Sequence, residues 1–467
     1  MPRLRRLAES QRAFVEMFAN RDLRNLQLAG VGSTLGIWAY GVAVAVYAYD
    51  VDGAKAVGIL YFVRWSLAGA FAPWLSLLSD RLPRRRVMLA ADLVRAAVVG
   101  GMAAVVGLHG PSLLVYGLAV VGSVAGAAFH PAQSALLPSL AQTAEELAAS
   151  NIALSTTGSI GMFAGPALGG LLLAVSSPWV VFALTAAMFL WSAGCLSRIP
   201  ADTSAPTEET AETVPALLAG FRAVASEPKL RVVIGLAASQ TVVAGALEVL
   251  LVLVALRLLD SGNGGVGWLN AAVGVGGLLG AGAATALAGR RRLAGDFGVG
   301  LVLFGLPLAL TAAWANTAYV IVLFALIGVG NTIVDVSSIT LMQRTADSDV
   351  LARVFGVLET LIYLTLAIGA AVTPALVSAL GLRPTLIVAG LLLPAVLIPL
   401  WRRLGAIDAS TGVPAAPLVL LRAIPLFAPL PAPVLEKLAS SAVETAVPAG
   451  ATVVVQGGPG DRFYVVA

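Results

Sequence analysis

The chain has 467 residues, of which 58% are hydrophobic and only 12% charged, too apolar for a water-soluble globule of this length. Its net charge of +4 does not form a nucleic-acid patch, because the arginines fall in short bursts between apolar runs. One cysteine, Cys195, excludes an intrachain disulfide and a cysteine-rich metal site.

The first 24 residues carry Arg3, Arg5, Arg6, Arg12, Arg21 and Arg24 without an apolar core, so they read as a cytoplasmic arm and not as a secretion signal. A helix needs about 20 mostly apolar residues to cross a bilayer. Twelve segments satisfy that: 25–49, 56–78, 87–108, 111–139, 147–175, 178–198, 230–256, 264–288, 296–315, 318–343, 351–380 and 383–401. Basic residues cluster on one side of this threading, at 81–86, 198–231, 290–292, 344–353 and 402–403. The other side holds Lys55, Arg257 and Arg383. Short cytoplasmic loops retain Lys and Arg, so both termini are expected in the cytoplasm.

The only long loop within this unit, "ADTSAPTEETAETVPALLAGFRAVASEPK", separates six spans from six, and 214–225 within it has the pattern of a short amphipathic surface helix. "GPALGG" at Gly165 is echoed by "TPALVS" at Thr373, and "RRR" at Arg84 by "RRR" at Arg290, each roughly 200 residues on. A constant offset points to an internal repeat, with a binding site between the copies. The fold expected is therefore an all-α membrane protein with twelve transmembrane helices in two pseudo-symmetric six-helix halves. The units are 1–199, a central loop 200–229, 230–403, a linker 404–421 and a tail 422–467.

Ionisable groups inside spans are costly, so each is a candidate for function. Glu248 lies deep in the seventh span, where the alternative is a purely structural pairing. In the tenth, Asn331, Asp335 and Ser338 share one face by their i, i+4, i+7 spacing. An acid withdrawn from water favours its neutral form, which suits Asp335 and Glu248 to carrying a proton. His130, Gln133 and Ser134 suggest a second polar face in the fourth span; alternatively His130 satisfies a carbonyl freed by Pro131. Gln240 and Trp38 complete the expected cavity lining. Arg64 in the second span and Glu359 in the eleventh also need partners. Arg64 is assigned to the cavity, where it would meet an anionic group, and Glu359 to the cytoplasmic gate. Asp92 and Arg95, just inside the third span, are grouped with that gate. No phosphate loop, nucleophile elbow or metal cluster is present in the sequence, so no enzyme activity and no cofactor is expected.

"LLSDRLPRRRVMLAADLVRA" resembles the cytoplasmic signature of the major facilitator superfamily, a Gly-x-x-x-Asp-Arg-x-Gly-Arg-Arg pattern between the second and third helices. Asp80, Arg81, Arg84 and Arg85 match, while Ser76 and Pro83 stand where glycines are usual. The resemblance implies a latch between the halves; plain positive-inside anchoring is the other reading. "GMFAGPALGG" is similar to the glycine-proline motif of that superfamily's antiporters, through Gly161, Gly165, Pro166, Gly169 and Gly170. "FHPAQSALLPSL" with "LAASN" resembles its drug and siderophore exporters. The implied function is proton-coupled export of a small organic molecule across a bacterial plasma membrane, with helices one, four, seven and ten lining the cavity. Uptake or uniport is the alternative within transport.

After 421 the pattern changes. Leu426 and Phe427, an amphipathic turn at Leu435–Leu438, "PAG" and "GGPGDRFYVV" resemble the opening of a cyclic-nucleotide-binding domain, implying a short α/β fragment of a β-roll. A membrane-anchored nucleotide sensor is the rival function. The family's phosphate cassette is absent from this chain, so cyclic nucleotide is not expected to bind.

Overall fold

The computed structural model describes residues 15, 17–200, 221–287 except 223, 293–345, 348–411 and scattered residues from 417 to 465. Side chains at 72–81, 144–145, 284–287, 348–353 and 408–411 lie outside the description. The described residues are almost entirely helical, and eleven helices are long and apolar enough to cross a membrane.

α1 (Arg21–Arg81) is 61 residues long and consists of two helices that meet at Gly53, whose φ of 73° and ψ of −168° lie where a side chain is disfavoured. Residues 21–52 form its first limb and 54–81 its second. There follow α2 (Arg84–Gly107), α3 (Ser112–Ala127) and α4 (Phe129–Leu140), the last two forming one apolar span stepped at Ala128. α5 (Ala144–Val175) and α6 (Pro178–Ser197) complete the first group. The second group is α7 (Pro228–Leu253) with a π turn (Val254–Leu258), α8 (Gly262–Leu287), α9 (Leu293–Leu310), α10 (Thr317–Thr345), α11 (Ser348–Leu380) and α12 (Leu382–Thr411).

Local chemistry sets these ends. Thr143 accepts from the Glu146 amide at 3.1 Å, and Asn316 from the Tyr319 amide at 3.0 Å, as N-caps do. Pro178 and Pro228 open their helices where no amide partner is needed. The ninth span, expected to reach 315, stops at Leu310. There the amides of Ala312 and Ala313 shift to the i−3 carbonyls of Ala309 and Leu310, at 3.2 and 3.0 Å, and the Thr311 hydroxyl also takes the Pro307 carbonyl at 3.0 Å.

Within the first group α1 packs on α5 and α6, and α2 on α6; within the second α8 and α9 pack on α10, and α7 and α9 on α12. The groups meet along two seams, α5 with α8 and the second limb of α1 with α11. Small residues make the first seam: a β-carbon on Gly170 would stand 2.5 Å from the Gly267 Cα and 2.9 Å from the Gly264 carbonyl. On the second, Gly58 lies against Pro374 and the Ala370 carbonyl.

The tail is only partly described. Leu421, Leu435 and Ala439 bury one another beside Phe427, whose ring stands edge-on to Phe463 at 5.2 Å. Described residues 442–448, 451–453 and 463–465 carry no strand, and the rest of the expected β-roll strands, like 214–220 of the amphipathic segment, lies outside the described residues.

Candidate substrate and proton sites between the two helix groups

The i, i+4 spacing on α10 places Asn331 directly before Asp335, and the Asn331 amide donates to the Asp335 carboxylate at 2.9 Å. The buried Gln240 of α7 donates in turn to the Asn331 oxygen, also at 2.9 Å. Asp335 is exposed on its helix yet has protein around most of it. The relay fixes both amides and leaves the acid as the exposed end of the chain. Ser338 is buried, and its hydroxyl returns to the Asp335 carbonyl at 3.1 Å, so it shapes the helix rather than the cleft.

On α4 the expected face divides. His130 and Ser134 are exposed, whereas Gln133 is buried behind them against Gly30 of α1, its amide nitrogen without a partner. Trp38 lies against Gly161 and Gly165 of α5 and serves a helix contact.

The second constellation joins groups the sequence leaves separate. Arg64, on the second limb of α1, donates from Nε to the Ser123 hydroxyl at 2.7 Å. Its guanidinium also sits over the rings of Tyr40 and Tyr61, 5.3 and 5.4 Å from their centres. The Glu248 carboxylate of α7 interacts with Tyr61 and with the charge of the guanidinium. A cation from one helix group thus balances an acid from the other, as charges withdrawn from water must be balanced. Arg64 and Glu359 do sit on adjacent helices, but Arg64 turns away to this cluster.

The basic residues expected to latch the groups bond within the first group instead. Arg84 donates to the Ala135 carbonyl at 3.0 Å, and Arg85 to the carbonyls of Leu196 and Ser197 at 3.0 and 2.8 Å. The last carbonyls of a helix have no helical donor, and a guanidinium fork suits them. Asp92 and Arg95 form an ion pair that is fully buried, with Arg95 also donating to Ser33 at 3.0 Å and sandwiched between Phe129 and Phe189 at 4.7 and 4.5 Å. They are core of the first group, not surface gate. The side chains of Asp80 and Arg81 lie outside the described residues.

The end of the bundle that carries Gly53 is shut across both groups. Arg257 in the π turn donates to the Tyr49 hydroxyl at 2.6 Å, and Asn263 to Asp50 at 2.9 Å. Sequence reading registered Arg257 only as a loop charge. The signal was the run "YAYDVD" at 47–52, two acids and two tyrosines at a span end, opposite that cation.

Residues 26–364 match the profile of the Major Facilitator Superfamily. Over 405 residues the chain is 28% identical to the "Uncharacterized MFS-type transporter YfiS" of Bacillus subtilis (strain 168), covering 81% of this chain and 92% of that protein. Over 134 residues it is 31% identical to a Bacillus amyloliquefaciens protein named "Putative bacilysin exporter BacE", a stretch of 29% of this chain and 33% of the relative. In fold it is similar to the nucleoside transporter NupG, with a TM-score of 0.67 at 13% identity over 84% of this chain and 99% of that one. A POT family transporter solved with 5-aminolevulinic acid gives 0.68 at 12% identity over 83% and 97%.

Proposed function

The chain belongs to the Major Facilitator Superfamily and is a multi-pass membrane transporter, not an enzyme; from that premise we propose that it exports a small organic molecule in exchange for protons. The observation that carries the reading is the pair of intramembrane acids in different settings. Asp335 is held by Asn331, itself held by Gln240, with its carboxylate exposed, and Glu248 interacts with Tyr61 and the Arg64 cation of the opposite helix group. In this reading the cleft opens toward the termini, because the opposite end is shut by Tyr49, Asp50, Arg257 and Asn263. Basic loops orient that open end to the cytoplasm of a bacterial cell, and the Gly53 break makes α1 two crossings of a twelve-crossing bundle.

Substrate then enters from the cytoplasm and meets Asp335, His130 and Ser134. A proton arriving at Glu248 weakens its tie to Arg64, which releases one helix group from the other and permits the rocking that exposes the cleft to the outside. Export, rather than uptake, is supported by the glycine-proline stretch of α5 and by the name of the shorter relative. No nucleic acid or cyclic nucleotide belongs to this scheme; its partners are substrate, protons and lipid.

The test is uptake into inverted membrane vesicles under an imposed pH gradient across a panel of small organic substrates. Wild type accumulates its substrate, and Asp335→Asn abolishes gradient-driven accumulation. Full accumulation in both Asp335→Asn and Glu248→Gln refutes proton coupling by these acids.

A further inference from the structure

Along the seam of α1 with α11 the helices touch at two places. Near the Gly53 end they touch at Gly58 and Pro374, and farther along Tyr363 packs on Gly69, where a β-carbon would stand 2.7 Å from the Tyr363 Cβ. Beside that contact lies an open cavity of about 360 Å³, lined from α11 by Phe355, Leu358, Ile362, Tyr363 and Leu366 and from α1 by Trp65, with Glu359 the acid among its described lining residues. The volume is within the roughly 300–1,000 Å³ of small-molecule sites, and so is the lining, mostly apolar with one polar anchor.

Three features select an occupant. Glu359 is exposed and makes no ion pair or hydrogen bond with the described residues, while Arg64, on the facing helix, is engaged by Ser123, Tyr40 and Tyr61. The rings of Trp65 and Tyr363, one from each helix of the seam, lie 6.0 Å apart and tilted by 36° at the cavity's edge. Aromatic faces and an unpaired carboxylate around an apolar space attract a positive charge with a hydrocarbon body; a neutral body forgoes both attractions and an anion is repelled.

We propose that the cavity between α1 and α11 is a binding site for an amphipathic organic monocation, its charged nitrogen at Glu359 and its apolar part against Trp65 and Tyr363. The site is distinct from the cleft at Asp335 and does not depend on the direction or coupling of transport.

The experiment is equilibrium binding of radiolabelled benzyldimethylhexylammonium to the full chain in nanodiscs of neutral lipid, with empty nanodiscs as the blank and no ion gradient. Saturable one-site binding is expected, weakened about tenfold or more by Glu359→Gln and several-fold by Trp65→Ala, with the charge-retaining Glu359→Asp recovering part of the loss. The neutral carbon isostere should fail to compete. Unchanged binding in a folded Glu359→Gln protein, or equal competition by the neutral isostere, overturns the proposal. So does a loss confined to Asp335→Asn, which would place the cation in the central cleft. Because no gradient is applied, failure here leaves the export reading untouched, and a failed vesicle assay leaves this site standing.

Discussion

Gly170 is the residue at which the two helix groups come closest along α5 and α8, and Gly170→Ala adds a single methyl there. That methyl would stand 2.5 Å from the Gly267 Cα and 2.9 Å from the Gly264 carbonyl. Carbon contacts settle at about 3.5 Å or more, so the helices must separate by about 1 Å or bend. The obstacles are backbone atoms, which no rotamer change can move. Overpacking of this kind costs about 1–3 kcal/mol. In a rocking transporter the cost falls on the state in which this end is shut, and it displaces the open–shut equilibrium by roughly 5- to 150-fold. Spin labels at Leu108 and Leu380, both exposed at the Gly53 end of different helix groups, report the change in a Cys195→Ser background. Gly170→Ala should move the distance distribution toward a longer population. Gly235→Ala, where a β-carbon meets nothing within 4 Å, should leave it alone. An unchanged distribution in folded Gly170→Ala protein would show that this seam does not open, and the rocking account would fail.

Arg64→Met should lower the melting temperature in detergent by stranding Glu248, at the lower end of roughly 3–5 kcal/mol because both groups are only partly buried. Adding Glu248→Gln should restore much of the loss, and equal melting of the single and double variants would deny that the two are coupled. Residues 422–467 should by themselves bind no cyclic AMP or cyclic GMP, since Arg462 is the one basic residue of "GGPGDRFYVV" and a lone guanidinium does not hold a cyclic phosphate. Saturable micromolar heats in a calorimetric titration of the 467-residue chain would contradict that.

Hydropathy located the helices because a bilayer demands long apolar runs whatever the tertiary contacts. It did not locate the ninth helix's end, since Ala312, Ala313 and Trp314 are apolar enough to continue a run while the backbone tightens there into i−3 bonds. The polar relay on α10 was visible as i, i+4 spacing, but its extension to Gln240 joins residues on two helices and leaves no mark in either. For Arg84 and Arg85 the hidden partners were backbone carbonyls, which carry no sequence signal; only side-chain acids suggest themselves to a reader looking for a latch. Gln133 was misplaced for a reason the sequence itself contained. Residues one apart on a helix point about 100° apart, so Gln133 could not share a face with Ser134, whereas His130, four before it, could.

The same 100° step explains how one stretch of α5 serves both helix groups. Gly161, Gly165 and Gly169 recur every four residues and form a single stripe, which lies against Thr34, Trp38 and Ala39 of α1 in their own group. Gly170 is one residue farther round and meets Gly264 and Gly267 of the other group instead. Its β-carbon space is limited by backbone on α8, as that of Gly169 is by backbone on α1, so neither contact tolerates a side chain. The stripe fixes α5 to its own group through three glycines. The opposing contact runs through Gly170 with Gly264 and Gly267, and farther along through Gly274 against Met162 and Phe163; Gly264 directly follows Asn263, which donates to Asp50 at this end. Opening this end therefore requires that α5 part from α8 while remaining seated on α1, and the spacing of four glycines around one helix makes those two demands compatible.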